Sequence, residues 1–250
     1  MCGRFALTGK PAEVERVFGL AEGDDFPPRF NIAPTQPIMM VVPAPPRAQG
    51  SNLPPRQAVL VRWGLIPSWA KNTQDVSLMF NARSESAALK PSFRMAMRHR
   101  RTLIPASGFY EWRKLSDGRT QAYWLRPRDG GVIAFGGLME SWSEPGGCEI
   151  DTGAILTTRA SADIRDIHER MPVVIRPEHF DHWLNCWTNE PRHVEDLLQP
   201  MEEGFFEAIA VSDLVNNVAN TSPEIQAEVK AKAPRRSEKK AEATAQLQLF

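Results

Sequence analysis

Several features that would place a chain in a large class of proteins are scarce or missing in this sequence. Its 250 residues contain three cysteines, Cys2, Cys148 and Cys186, which are too few and too scattered for a disulfide framework or a metal site. No apolar run of about 18 residues occurs, and the N-terminus lacks a basic-then-apolar leader, so neither membrane insertion nor export is indicated. We therefore expect a cytoplasmic protein with reduced thiols and no metal or other cofactor.

The sequence also lacks an excess of charge of one sign. Its 30 basic and 30 acidic side chains give a net charge of zero, so bulk electrostatics does not indicate a nucleic-acid partner. Basic residues are clustered between positions 94 and 101, but such a run alone is typical of a solvated helix face. Neither a dinucleotide fingerprint nor a phosphate-binding loop is present, which disfavours nucleotide-dependent enzymes.

The apolar residues, 42% of the chain, are sufficient for a sizeable core and occur in short runs. Helical patterns are predicted at 11–20, 85–98 and 177–186, and β-like runs at 38–42, 58–63, 102–104, 121–125, 132–138, 154–158 and 172–175. Because helices and strands do not alternate regularly, we expect an α+β fold with a largely antiparallel, barrel-like sheet and peripheral helices. A doubly wound nucleotide fold is disfavoured.

The composition changes toward the C-terminus. Residues 1–225 are predicted to form one domain, whereas 226–250 consist mainly of Lys, Glu, Ala, Arg and Gln and cannot bury enough apolar surface to fold alone. We predict a flexible charged tail over 226–250. An apolar end on such a tail is typical of a docking peptide. The residues of this end are Gln246, Leu247, Gln248, Leu249 and Phe250.

Cys2 is the first candidate for chemistry. A cysteine in second position normally permits removal of Met1, which leaves an α-amine and a thiol on neighbouring carbons. The ordinary pKa values of these groups, about 8 and about 8.5, give both a reactive fraction at neutral pH. With an aldehyde the amine would form a Schiff base and the thiol would close a thiazolidine, whereas an amide or ester would give a thioester. A cysteine that only fills space is the alternative.

Four further segments place polar residues in apolar or β-like contexts. They contain Asn31 in Phe-Asn-Ile-Ala-Pro-Thr, Asn81 and Arg83 in Phe-Asn-Ala-Arg-Ser-Glu, Glu111 in Ser-Gly-Phe-Tyr-Glu-Trp, and His168 with Arg170 in Ile-His-Glu-Arg-Met-Pro. Each such residue alone would most often be a satisfied buried polar group or part of a turn. Four of these segments in a chain that opens Met-Cys-Gly instead indicate partners for Cys2.

The sequence resembles the SRAP (SOS-response-associated peptidase) family. The resemblance lies in 1–7, 31–36, 62–70, 81–85, 104–112, 137–142, 155–158 and 168–173. It implies a protein that senses abasic sites in single-stranded DNA and forms a covalent thiazolidine DNA-protein crosslink through the mature N-terminal Cys2. The crosslink would shield the site during the replication-associated damage response. The family's name adds a peptidase activity, for which self-cleavage with Cys2 as the nucleophile, such as removal of a leader residue, is one form.

The resemblance also assigns a role to each candidate site residue. Cys2 is implied to be the crosslinking nucleophile, Glu111 an acid or base near the α-amine, and His168 a proton donor or acceptor in sugar-ring opening and Schiff-base formation. Asn81 is implied to orient the sugar or Cys2 by hydrogen bonds. These residue types suit general acid–base catalysis, since histidine titrates near neutrality and a carboxylate can accept the proton of an ammonium.

A DNA-binding surface is implied as well. Its arginines would hold flanking phosphates as bidentate donors, and its tryptophans would stack on bases or wedge the strand apart. Because most tryptophans are buried in any domain, we expect one or two of the three to contact DNA. The implied DNA-binding residues are Arg4, Trp63, Trp69, Arg83, Trp112 and Arg170.

The end of the tail suggests a second partner. Residues 246–250 resemble the pentapeptide with which bacterial DNA-processing proteins bind the replicative sliding clamp. A tether that ends in such a peptide would raise the local concentration of the protein at replication forks. We therefore predict that clamp as a partner.

Two other functions fit the start of the chain. An N-terminal-nucleophile amidohydrolase would attack an amide with the Cys2 thiol and use the α-amine as base. A non-covalent single-stranded DNA-binding module would use Cys2 only for packing. The remaining SRAP-like segments favour the crosslinking protein, because there is no reason for them to occur in an amidohydrolase.

Overall fold

The computed structural model describes residues 2–21, 26–46, 50–74, 76–143, 146–147 and 149–233. The predicted docking peptide at 246–250 and the predicted tail beyond residue 233 lie outside the described residues, as does Cys148. Within these ranges, no helix is both long enough and apolar enough to cross a bilayer.

The described chain is rich in strands and has short helices. The strands are β1 Phe5–Leu7, β2 Arg29–Ile32, β3 Pro37–Pro43, β4 Arg56–Trp63, β5 Asn81–Arg83, β6 Arg101–Ala106, β7 Gly108–Lys114, β8 Thr120–Pro127, β9 Ile133–Ser143, β10 Glu149–Arg159, β11 Arg170–Pro172, β12 Val174–Ile175 and β13 Phe206–Val211. The α-helices are α1 Pro11–Phe18, α2 Ser84–Ala87, α3 Arg94–His99 and α4 Phe180–Leu184. Short 3₁₀ helices span Pro177–His179, Pro191–Leu198, Asp213–Asn216 and Pro223–Gln226.

Five of the strands close into a barrel. β3 pairs with β4 and β6, β6 with β9, β9 with β10, and β10 pairs with β4 to complete the ring. The β4–β10 contact is parallel, and the other contacts of the ring are antiparallel. A glycine is required where the interior is narrow, since a Cβ on Gly153 would lie 2.1 Å from Met40 Cε. The predicted α+β fold with a largely antiparallel, barrel-like sheet is confirmed.

A second sheet lies against the barrel and carries the N-terminus. Its strand order is β13-β8-β7-β1-β2. Phe5 of β1 meets Trp63 and Phe135 of the barrel edge-on, with ring centroids 5.1 and 6.0 Å apart, and Phe109 of β7 meets Phe135 at 6.1 Å. Aromatic rings bury large apolar areas and prefer such edge contacts. Their burial fixes β1, and with it the preceding Cys2, against the barrel.

Two predicted helices differ from the observed ones. The pattern over 85–98 predicts one helix, but the chain forms α2 and α3 with a turn between them. Pro91 lies in that turn, and a proline lacks the N–H that a continuous helix needs and restricts the residue before it. The pattern over 177–186 likewise divides into a 3₁₀ turn and α4.

The last described residues follow the second sheet. Val229 N–H donates to Ala210 O, and Lys232 N–H donates to Gln121 Oε1 at 2.9 Å. Lys232 Nζ also bonds to the carboxylate of Asp213. These contacts bring the chain out beside the start of β8.

Candidate active site around Cys2

Cys2 lies shortly before β1 of the second sheet, which begins at Phe5, and is completely buried. The antiparallel register of β1 and β7 pairs Phe5 with Phe109. Continued toward the N-terminus, this register brings Glu111 level with Gly3, next to Cys2. The strand pairing alone therefore places a carboxyl group beside the predicted nucleophile.

Asn81 holds Cys2 from the barrel side. It is the first residue of β5, which pairs in parallel with β10. Its Nδ2 donates a hydrogen bond to Cys2 O at 2.7 Å. Its Oδ1 is buried and accepts no hydrogen bond from the part of the chain that the structure describes. One end of the amide is thus fixed on Cys2, and the other end can accept a hydrogen bond from a ligand.

Glu111 is a buried carboxyl group in the middle of β7, with 3% of its surface exposed. β7 begins at Gly108, whose φ of 156° and close approach to β8 leave no room for a side chain: a Cβ would lie 2.4 Å from Leu125 O. Burial raises the pKa of Glu111 to about 7. At neutral pH the group is therefore present as both acid and carboxylate.

His168 faces Glu111 from the loop before β11. Its Nδ1 lies 4.0 Å from Glu111 Oε1, 3.0 Å from the backbone N of Arg170 and 3.1 Å from the carbonyl O of Arg170. The first Arg170 contact suits an unprotonated Nδ1 and the second a protonated one, so the geometry is compatible with both neutral tautomers. Burial lowers the pKa of His168 below its usual 6.5, so the neutral ring predominates at pH 7.

The Cys2 thiol stays protonated in this setting. Burial, and after it the nearby Glu111 carboxylate, raise the pKa of Cys2 well above its ordinary value. Since the thiolate is the reactive form, the thiol is a poor initiating nucleophile at neutral pH. The structure thus brings together the four residues predicted for chemistry, which we term the Cys2 site: Cys2, Asn81, Glu111 and His168.

The three arginines predicted to bind DNA lie in different settings. Arg83 is exposed at the end of β5. The side chain of Arg170 is 12% exposed, and both of its outer nitrogens bond to Glu85 at 2.9 Å. Arg4 Nη1 donates to Asn31 Oδ1 and to a backbone carbonyl, each at 2.7 Å. Arg83 is therefore the most accessible of the three.

Asn31 belongs to a separate network and not to the Cys2 site. Its Nδ2 donates to the carbonyl oxygens of Val215, Asn217 and Asn220 at 3.3, 3.1 and 2.8 Å. These carbonyls lie after β13, where Val215 O also accepts from Arg4 and Asn217 O from the backbone N–H of Asn220. Asn31 and Arg4 together anchor this segment to the second sheet.

The three predicted tryptophans also differ in exposure. Trp63 is completely buried, and its Nε1 donates to Phe80 O at 2.8 Å, so it is a core residue that offers no face to a base. Trp69 is 60% exposed. Trp112 is half-buried, with the Arg4 guanidinium 6.0 Å above its ring. Trp69 is therefore the tryptophan of this set best placed for stacking.

Glu85 is a residue of this region that the sequence does not single out. It lies in the first turn of α2, where a carboxylate needs no special explanation. Its partner Arg170 is 85 positions away in the chain, so no local pattern relates the two. The pairing of β5 and β11 with the same strand, β10, brings them together.

Comparison of the chain with known families identifies its class. The family profile described as SOS response associated peptidase (SRAP) matches residues 1–218. The chain therefore belongs to the SRAP family.

Its relatives include proteins from bacteria and vertebrates. The Abasic site processing protein YoqW of Bacillus subtilis (strain 168) is 38% identical over 229 residues, which cover 90% of this chain and 98% of the relative. The Abasic site processing protein HMCES of Gallus gallus is 26% identical over 283 residues, which cover 99% and 83%. A crystal structure of a protein from Bacteroides thetaiotaomicron has a TM-score of 0.79 at 21% identity and covers 92% of this chain and 100% of that one. This last likeness concerns the fold.

Proposed function

We propose that this protein senses abasic sites in single-stranded DNA and attaches to them covalently through Cys2, which shields the site during the replication-associated damage response. Membership of the SRAP family and relatives named abasic site processing proteins support the proposal. The observation that carries it is a buried Cys2, held by Asn81, beside a carboxyl group of pKa about 7. An aminothiol next to a group that can give and take a proton suits reaction with an aldehyde.

The first step uses the α-amine that Cys2 gains when Met1 is removed. The amine nitrogen adds to C1′ of the ring-opened sugar, and one of its protons passes to the carbonyl oxygen. Glu111 in its acid form protonates the resulting hydroxyl, which leaves as water, and the Glu111 carboxylate then takes the remaining nitrogen proton, so that an imine remains. The raised pKa of the Cys2 thiol favours the amine as the first nucleophile.

The second step closes the ring. Sγ of Cys2 forms a bond to the imine carbon, and the thiol proton passes through the Glu111 carboxylate to the nitrogen. One aldehyde and one aminothiol thereby give one thiazolidine and one water, with no change of oxidation state. Glu111 can serve in both steps because a group of pKa about 7 is populated in both forms at neutral pH.

His168 and Asn81 prepare the sugar in this proposal. The closed hemiacetal must open before its aldehyde reacts, and opening needs a proton donor and acceptor. His168, a neutral ring with one N–H donor and one acceptor nitrogen, fits that role. The buried Oδ1 of Asn81 would accept a hydrogen bond from a sugar hydroxyl or from the Cys2 amine.

The strand itself would be held by the predicted DNA-binding residues. Arg83 offers an exposed guanidinium for a phosphate, and Trp69 offers an exposed ring for a base. Trp112 and Arg4, stacked on one another, would contact the strand by their exposed edges. Arg170 would bind a phosphate next to Arg83.

A denaturing gel tests the covalent step. The full-length protein is incubated with an oligonucleotide that contains one abasic site and, separately, with the intact strand. The expected result is a covalent band with the abasic strand alone. Absence of that band, in a preparation whose intact mass shows that Met1 is removed, would contradict the proposal.

The peptidase activity of the family name is confined here to self-processing that frees Cys2. An amidohydrolase would instead need a reactive thiolate, which the burial of Cys2 disfavours. Turnover of an added glutamine amide or peptide by the wild-type protein, lost in Cys2→Ala, would favour that alternative.

We further propose that the tail, outside the described residues, binds the replicative sliding clamp through 246–250. The tether would raise the effective concentration of the protein at replication forks, where single-stranded abasic sites arise. Deletion of 246–250 should abolish clamp pull-down and leave crosslinking to free oligonucleotides unchanged. Pull-down that survives the deletion would contradict the clamp proposal.

A further inference from the structure

The guanidinium of Arg170 holds the carboxylate of Glu85 in its fork. Nη1 and Nη2 donate to Oε1 and Oε2 of Glu85, each at 2.9 Å, and Nη2 also donates to Thr157 O. The Arg170 side chain is 12% exposed, whereas the Glu85 side chain is 54% exposed. The carboxylate therefore covers the solvent-facing side of the fork.

This two-point geometry is also the one with which arginine binds a phosphate. Two parallel N–H···O bonds match the paired oxygens of a carboxylate and of a phosphate alike. Glu85 belongs to the four-residue helix α2, and its half-exposed side chain can rotate into solvent without uncovering the core. Because the Glu85 side chain is half-exposed, water can solvate its carboxylate once it leaves the fork, and a phosphate that forms the same two bonds can take its place.

The Glu85–Arg170 pair adjoins the Cys2 site. Arg83 of β5 pairs with Thr157 of β10, the residue whose carbonyl oxygen bonds to Arg170. Asn81, about 6.6 Å before Arg83 along β5, bonds to Cys2 O. A strand whose abasic sugar lies at Cys2 therefore has a flanking phosphate within this stretch.

We propose that Glu85 occupies on Arg170 the position of a DNA phosphate, and that the phosphate displaces it when the strand binds. The inference rests on the proposed function for the identity of the ligand as single-stranded DNA. Glu85 is then a specificity-determining residue, because an anion must compete with a tethered carboxylate. Small free anions fail to compete, whereas a strand that also contacts Arg83 succeeds.

Loss of the Glu85 charge should tighten DNA binding. Glu85→Gln keeps the size of the side chain and removes the competing anion. For an intact strand of about 15 nucleotides, we expect the Kd to fall about 3- to 10-fold at about 0.1 M salt, and the salt dependence to steepen by about 0.7, the value for one phosphate of a single strand. Intact DNA is used so that no covalent step contributes to the measured affinity.

Asp181→Asn is the matched control. Asp181 is also a carboxylate paired with an arginine, Arg56, at 2.6 Å, and its substitution removes the same charge from another part of the surface. An equal gain in affinity in both variants would reduce the effect to net charge and overturn the proposal. Arg170→Lys, which lacks the fork, should abolish the gain when combined with Glu85→Gln, and a gain that persists there would also overturn it.

The remaining outcomes separate this proposal from the covalent function. Unchanged or weaker binding by Glu85→Gln, in a variant with the wild-type unfolding midpoint, rejects phosphate displacement. If the wild-type protein still crosslinks abasic DNA, the covalent function stands. Conversely, tighter binding by Glu85→Gln without any crosslink in the wild-type protein supports phosphate displacement and rejects the covalent function.

Discussion

Glu111 and Glu85 are two carboxyl groups of one small region in opposite physical settings. Glu111 is 3% exposed, and burial raises its pKa to about 7. Glu85 is 54% exposed, and its hydrogen bonds from Arg170 lower its pKa below the ordinary value. At neutral pH Glu111 can therefore donate or accept a proton, whereas Glu85 is ionised.

The contrast separates proton transfer from anion binding. Inside the Cys2 site, burial makes any charge costly, and groups whose pKa values lie near the working pH suit a reaction that moves protons. At the rim of the Cys2 site, which we define as Arg83, Glu85 and Arg170, the guanidinium groups suit a polyanion. Substitutions in the Cys2 site should therefore change the crosslinking rate, whereas those at the rim should change the affinity.

The largest expected effect follows from removing Cys2. Cys2→Ala should abolish the stable crosslink, because the thiol that closes the ring is gone. Cys2→Ala and Cys2→Ser both keep the α-amine, so we expect from each a labile imine that borohydride traps and that a denaturing gel then shows. Cys186→Ala removes a half-buried thiol outside the Cys2 site and should crosslink like the wild type. A stable band with Cys2→Ala would show that the Cys2 site does not form the crosslink.

Removing the acid of Glu111 should have the next largest effect. We expect Glu111→Gln to slow crosslinking about 10²- to 10³-fold, since it can neither donate nor accept the required protons. The rate of the wild-type protein should change slope near pH 7, and that of the variant should not. Single-turnover rates between pH 5 and 9 provide the measurement.

Glu140 offers a matched control for that experiment. It is 9% exposed, and burial raises its pKa as well, but it lies beside Arg100 on the barrel. Glu140→Gln should leave the rate and its pH profile unchanged. An equal loss of crosslinking rate in Glu111→Gln and Glu140→Gln would show that the rate depends on any buried carboxyl group and not on the position of Glu111 beside Cys2.

Asn81→Ala and His168→Ala should lower the rate about 10- to 100-fold, since each removes one hydrogen-bonding or proton-transfer partner. Their affinity for intact single-stranded DNA should stay within about twofold of the wild type, because neither carries net charge at neutral pH. Rates at saturating DNA and separate binding titrations distinguish the two quantities. A loss of affinity without a loss of rate would show that Asn81 and His168 bind the strand and do not take part in the reaction.

Stability should also reveal the raised pKa of Glu111. Between the ordinary value of 4.5 and about 7, the folded chain holds this proton more tightly than the unfolded chain, so the group lowers stability as the pH rises through that window. Glu111→Gln removes this cost, and its free energy of unfolding at pH 8 should exceed that of the wild type by about 3 kcal/mol, with little difference at pH 4, since one pKa unit corresponds to about 1.4 kcal/mol. Denaturant titrations at both pH values test this, and a variant less stable at pH 8 would refute the raised pKa.

The smallest expected effect is the loss of DNA affinity on substitution of Arg83 at the rim. Arg83→Ala should weaken binding of intact single-stranded DNA about 3- to 5-fold and reduce its salt dependence by about 0.7. Crosslinking at saturating DNA should be unchanged. Arg16→Ala, which removes an exposed arginine from α1, serves as the charge control and should bind like the wild type. If Arg83→Ala and Arg16→Ala weaken DNA binding equally, the effect is one of net charge, and Arg83 makes no specific phosphate contact.

The barrel is predictable from the sequence because its strands are continuous apolar runs of sufficient length. β3, β4, β6, β9 and β10 all coincide with predicted runs. β1, β2, β5 and β7 do not, since they are short or contain polar residues, among them Asn81 and Glu111. The residues that serve the site are those that interrupt the pattern.

The members of the Cys2 site can be named from sequence, but their surroundings cannot. Trp63 and Trp69 look alike in the sequence, yet Phe5 and Phe80 close around the first and leave the second exposed. The bidentate bonds between Arg170 and Glu85 likewise depend on strand pairing across β10. Such contacts between distant segments depend on tertiary packing. Local sequence patterns do not predict them.

Mass spectrometry of the crosslinked N-terminal peptide tests the central claim most directly. We predict an adduct on a peptide that begins at Cys2, with a mass equal to peptide plus ring-opened sugar fragment minus one water. We also predict that Cys2 in this adduct no longer reacts with a thiol-alkylating reagent and that the adduct resists borohydride. An adduct on another residue, or on a chain that still carries Met1, would contradict covalent attachment through the amine and thiol of Cys2.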